Sequence, residues 1–109
     1  MRGLTIILCA LACTPALAGN YATCILDKMP KVENDVTASA VHQLCKGESP
    51  QGLEAVEQGS GRGIWSYKSG SECALKKAGN TQSNRAAMLI GLACRKLYDE
   101  PNPYSKYQN

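Results

Sequence analysis

Of the six cysteines in this 109-residue chain, four stand as two pairs with identical spacing, and that spacing restricts the fold more than any other feature. Cys24 and Cys45 bracket CILDKMPKVENDVTASAVHQLC, and Cys73 and Cys94 bracket CALKKAGNTQSNRAAMLIGLAC, a stretch of the same length. Aligned on their first cysteines, the stretches set Leu26 over Leu75, Ala38 over Ala87 and Val41 over Ile90, at a constant offset of 49 residues. Asn34 and Asp35 fall over Ser83 and Asn84, residue types whose side-chain oxygens cap helix N-termini. Pro30 falls over Gly79, and both residues end helices. Breakers, caps and apolar positions together describe one helix–turn–helix unit used twice.

Local patterns place the helices. Tyr21, Ile25 and Met29 recur at four-residue steps before Pro30. Val36, Ala40, Val41, Leu44 and Cys45 mark one face of a second helix, closed by Gly47. Ser69 and Glu72 fit a capping box for the third helix, which Gly79 and Asn80 end. Ala86, Leu89, Ile90, Ala93 and Leu97 stripe the fourth, finished before Pro101. In between, Ser49 as N-cap, Pro50 at the first position, Leu53, Val56 and a stop at Gly59 predict one short helix. The glycine-rich segment GSGRGIWSYKSG follows it.

In an antiparallel helical hairpin the first and last residues lie at the same open end, which predicts disulfides Cys24–Cys45 and Cys73–Cys94. Each closes a loop worth about 3 kcal/mol in chain entropy. A nested pairing, Cys24–Cys94 and Cys45–Cys73, suits two hairpins packed end to end and stays open, because spacing alone does not set connectivity.

The leading residues predict the compartment. Arg2, the apolar run Leu4 to Ala12 and the small-residue triplet Ala16-Leu17-Ala18 have the order of a secretory signal peptide over residues 1–18. Lipid attachment at Cys13 is the lesser alternative, since Ala10 stands where a lipoprotein signal carries Leu. Removal of the leader takes Cys9 and Cys13 and leaves four cysteines, an even number suited to two disulfides in an exported chain. With no Phe and one Trp, the core must be mainly aliphatic, and a domain this small needs covalent support. The expected fold is all-α, a four-helix array of two disulfide-stapled hairpins. It comprises a hairpin unit at 21–47, a connecting segment at 48–70 with a short helix, a second hairpin unit at 71–99 and a polar tail at 100–109, in a single domain over 19–109.

The residues predict binding rather than catalysis. His42 is the only histidine, reads as a helix-surface residue, and has no nucleophile or acid partner in any motif. Paired cysteines leave no thiolate, and the spacing lacks the short pairs of a zinc site, so neither a metal nor another cofactor is expected. Trp65 and Tyr67 stand two residues apart in the glycine-rich segment. They are interface anchors in one reading; in the favoured one, Trp65 folds back to cover a bundle short of aromatics. Residues 73–96 carry Lys76, Lys77, Arg85, Arg95 and Lys96 with no acid, a net charge of +5. Such a face suits a solvated surface, an acidic protein or an anionic membrane surface. Nucleic acid is not expected, because the cations lack interleaved aromatics.

At CIL, MP and ND in the first unit, and at ECALKKA and RAAMLIGLACRKLYDEP in the second, the chain resembles short exported bacterial proteins known as four-cysteine proteins. The resemblance implies a periplasmic location and carries no activity. The expectation is a disulfide-stabilised helical module that contacts another envelope protein, in the manner of an inhibitor or immunity protein. The alternative is an envelope-stress or membrane-surface protein acting through the basic helical face.

Overall fold

The structure, a computed structural model, describes residues 19–101, and among these four α-helices and one 3-10 turn make up the regular structure. They are α1 (Tyr21–Lys28), α2 (Asp35–Glu48), the 3-10 turn Gly52–Ala55, α3 (Gly70–Ala78) and α4 (Asn84–Tyr98), with no strand among the described residues. The expected signal peptide 1–18, with Cys9 and Cys13, and the tail from residue 102 onward lie outside the described residues.

Each helix starts on a polar side chain that accepts from a free backbone N–H. Asn20 accepts from the Thr23 amide, and the Thr23 hydroxyl closes a reciprocal box for α1. Asn34 and Ser83 cap α2 and α4 at the aligned positions. Ser69 caps α3, but the Glu72 carboxylate reaches past it to the Lys68 amide at 2.7 Å, so the expected box is displaced by one residue.

Helix α2 runs through the Gly47 stop that its pattern predicts and ends at Glu48. Gly47 sits inside its last turn, where an added Cβ would meet nothing within 4 Å. Ser49 is therefore the C-cap of α2, its amide bonded to the Cys45 carbonyl, and not the N-cap of the next helix. The chain reverses at Gly52, whose φ of +63° suits glycine. The predicted short helix shrinks to the 3-10 turn, with Pro50 outside it.

Both disulfides join the helices of one hairpin, Cys24 to Cys45 with Cα atoms 5.7 Å apart and Cys73 to Cys94 at 5.5 Å. The nested pairing is excluded. Each staple ties an inner helix to an outer one. Inner α1 buries Tyr21, Ala22, Ile25 and Leu26, and inner α4 buries Ala86, Leu89, Ile90, Gly91, Ala93, Cys94 and Leu97. Outer α2 buries only Ala38 and Cys45, and outer α3 only Gly70 and Cys73. Helix α4 packs against all three others. The core, which also holds Met29, Val32 and Val56, is aliphatic as expected. A fully buried Ile or Met, such as Ile25, Ile90 or Met29, contributes about 1.5–3 kcal/mol.

The packed face of α2 differs from the expected one. Val36, Ala40 and Leu44 point to solvent, and Ala38, Val41, His42 and Cys45 turn inward. Apolar residues lie on both sides of this helix. The bond to Cys24 selects the side that carries Cys45 and the residues three, four and seven positions before it.

The two units meet at their turns. The Thr81 hydroxyl donates to the Val32 carbonyl, a pair at the repeat offset. The Asp35 carboxylate accepts from the Ser83 hydroxyl at 2.5 Å and the Arg85 amide at 3.3 Å. Ser83 also caps α4, so one hydroxyl serves both a helix start and the joint between units. At the other end, Gly70 lets α3 approach closely, since a Cβ there would lie 2.7 Å from the Arg95 Cα.

Candidate binding site

A helix leaves its last four carbonyls without partners, and the glycine-rich segment supplies them for α4. The Gln58 amide group donates to the Arg95 carbonyl at 2.8 Å and to the Asp99 carbonyl at 3.0 Å. The Gly59 and Gly61 amides donate to Lys96 and Leu97, each at 2.8 Å. Arg62 reaches the Tyr98 carbonyl at 2.5 Å and the Lys68 carbonyl at 3.2 Å, and pairs with Glu100 at 3.3 Å. Residues 58–62 thus lie along the end of α4, and Arg62 ties the two ends of the following loop together.

That loop carries a short turn. Its base is closed by the Gly63 amide donating to the Ser66 hydroxyl oxygen at 2.9 Å, with the same hydroxyl within 3.0 Å of the Gly63 carbonyl. Ile64 and Trp65 form the tip, 90% and 96% exposed. Trp65 therefore does not fold back over the bundle, contrary to the favoured expectation. The ring that covers the bundle is Tyr67, packed edge-on against Tyr98 with centroids 5.2 Å apart. In an extended segment residues two apart would share a face; the turn at 63–66 instead lifts Trp65 to the tip and leaves Tyr67 at its base against the bundle.

The basic residues do not form a single face. Lys76 lines a shallow concavity with Trp65, Ser66, Tyr67 and Tyr98. Lys77 lies in a neighbouring one with Leu26, Asp27, Tyr67 and Tyr98. Arg85, Arg95 and Lys96 share the outward side of α4 with Met88 and Leu92, and acidic Glu54, Asp99 and Glu100 flank its C-terminal end. The structure joins Trp65, Tyr67 and Lys76 and separates them from Arg85, Arg95 and Lys96. Ser66 and Tyr98 complete the first group, and Ile64 stands beside Trp65 at the exposed tip. Ile64 was legible as a large apolar residue between glycine and tryptophan, but nothing in the sequence pointed to Tyr98.

His42 lies at the helix surface but is half-buried rather than free in solvent. Its Nδ1 lies 2.6 Å from the Tyr21 hydroxyl, and the two rings meet edge to face. Burial, then the charges of Arg85 and Lys46, hold its imidazole below the usual range. Burial raises the Tyr21 phenol, and Arg85 partly opposes the rise. The pair closes the space between α1 and α2 with a polar contact.

No group of three His, Cys, Asp or Glu side chains among the described residues is placed to hold a metal ion, and no helix there is long and apolar enough to cross a membrane. No protein-family model, curated protein or solved structure matches this chain.

Proposed function

We propose that this protein acts by binding another protein in an oxidising compartment, the bacterial periplasm, and that the Ile64–Trp65 turn is its anchor. One observation carries the reading: two large apolar side chains, 90% and 96% exposed, stand side by side on a turn whose base is hydrogen-bonded and whose flank is tied to α4. Exposing them costs solvation, and a turn already ordered loses little entropy when a partner covers it. The two disulfides fit an oxidising, extracytoplasmic setting and stiffen the support beneath the turn.

The test is partner capture from an envelope extract by oxidised protein. Trp65→Ala should abolish capture while the thermal midpoint stays nearly unchanged, since a truncated anchor costs about 2 kcal/mol or more of binding energy. Capture that survives Trp65→Ala overturns the reading. Trp65 is the only tryptophan, so its emission reports the contact directly.

A second reading rests on the outward side of α4, where exposed Met88 and Leu92 lie between Arg85 and the Arg95–Lys96 pair. Such a face suits an anionic bilayer surface. Salt-sensitive co-sedimentation with anionic vesicles, lost in Arg85→Glu/Arg95→Glu, would favour it over the turn.

A further inference from the structure

We infer that the concavity lined by Trp65, Ser66, Tyr67, Lys76 and Tyr98 receives an extended proline-rich segment of the partner, with an acidic residue beside Lys76. The inference rests on the protein-binding reading above and names the kind of partner.

The site combines apolar ring faces with unspent donors. Tyr67 and Tyr98 stand nearly perpendicular, at 84°, so one ring forms a wall and the other a floor. Trp65 adds a third ring with both faces free. Among the described residues, the Trp65 indole N–H, the Tyr67 and Tyr98 hydroxyls and the Lys76 ammonium have no hydrogen-bond or ion-pair partner, although each belongs to a side chain lining this concavity. Burial first, and then Tyr67, raise the Tyr98 phenol above its ordinary range. Ser66 is committed to the turn, its hydroxyl lying 3.0 Å from both the Gly63 and the Tyr67 carbonyls. No carboxylate lines the concavity.

A site rich in donors and ring faces selects a ligand rich in acceptors and compact apolar groups. A polyproline segment meets both conditions: each proline offers a carbonyl and no N–H, and its ring packs flat on an aromatic face. Its left-handed helix is already ordered, and one three-residue turn spans about 9 Å, enough to pass a ring pair 5.2 Å apart. A neutral glycan also stacks on aromatic rings and can exchange hydrogen bonds with the tyrosine hydroxyls, but it offers no carboxylate to Lys76, which an acidic residue beside the prolines does. Lys76, without an acidic partner, adds a preference for a glutamate or aspartate near the prolines.

The experiment is calorimetric titration of the oxidised protein with a short synthetic polyproline peptide carrying glutamate at both ends. The controls are the same peptide with alanine for proline, a polyproline peptide without glutamate, and a chito-oligosaccharide. Saturable binding of the acidic polyproline peptide is expected, weakened about tenfold or more by Trp65→Ala. Tyr98→Leu should weaken it comparably; because Tyr98 also packs on Tyr67, its result counts only if the circular dichroism melt is unchanged. Lys76→Glu should weaken the acidic peptide and spare the neutral one. Equal binding of the alanine peptide, binding of the oligosaccharide instead, or no binding of the polyproline peptide each overturns the inference. If Trp65-dependent capture of a protein persists while the peptides fail, the anchor stands and the proline-rich partner falls. If capture ignores Trp65, the anchor itself falls.

Discussion

Leu26 and Leu75 occupy the same place in the two stapled units, yet Leu26 is 7% exposed and Leu75 is 81% exposed. The reversal runs through both hairpins. The first unit buries its first helix, where Tyr21, Ile25 and Met29 are large, and the second unit has Gly70, Ala74 and Ala78 at those positions. In the second helices, half-buried Val41 of the first unit matches fully buried Ile90 of the second. A disulfide therefore specifies which two helices are neighbours and leaves open which of them faces the core. The distribution of large aliphatic side chains makes that choice, so equal spacing yields two hairpins with opposite roles.

The largest effect should come from the inner position of this pair. Ile90→Ala should lower unfolding free energy by about 2–5 kcal/mol, and Val41→Ala, at the matched site, by about 1 kcal/mol or less. Urea denaturation of the two variants measures the gap, and equal losses would break the inner–outer distinction. The staples come next. Replacing Cys73 and Cys94 by Ser should cost about 2–4 kcal/mol yet leave Cys24 bonded to Cys45, as peptide mapping would show. Free Cys24 and Cys45 thiols would mean that the units do not pair their own cysteines independently.

Smaller effects test the joint between units. Ser83→Ala removes the α4 cap and the bond to Asp35, and should cost about 1–2 kcal/mol by thermal denaturation. The Ser83 hydroxyl and then the Arg85 amide hold the Asp35 carboxyl below its usual range. Its contribution is therefore present above the ordinary carboxylate value and lost as pH falls toward the folded one. His42 gives the smallest signal. Its folded pKa lies below the ordinary 6.5, so the unfolded chain takes up a proton first as pH drops. Stability should decline as pH falls below 6.5 and level off under the folded value, and His42→Gln should remove that segment of the profile. A stability that rises on acidification through this range would contradict the placement of His42.

The helices and their staples were legible because they depend on local chemistry. Asn34 and Ser83 are caps whatever surrounds them, and Cys24 can reach Cys45 through a single turn. The burial of α2 was not legible, since Val36, Ala40 and Leu44 are as apolar as the Ala38 and Val41 that replace them in the core. Only the contact with α1 and α4 separates the two sides. Trp65 misled for a related reason: tryptophan usually finds cover, but here Tyr67 and Tyr98 already fill the available surface. The contact between His42 and Tyr21 spans 21 residues and has no motif to announce it.

The end of α4 and the segment 58–62 hold each other's backbone groups, so neither can open alone. The amide hydrogens of Gly59 and Gly61, although they sit in a loop, should exchange with solvent at the pace of the last turn of the helix. Fraying of that turn and release of the Ile64–Trp65 tip then become one cooperative opening event. A partner that seats on Trp65 would slow exchange as far away as the Asp99 amide, which bonds to the Arg95 carbonyl shared with Gln58, and would carry the signature of binding into the helix without any change in its shape.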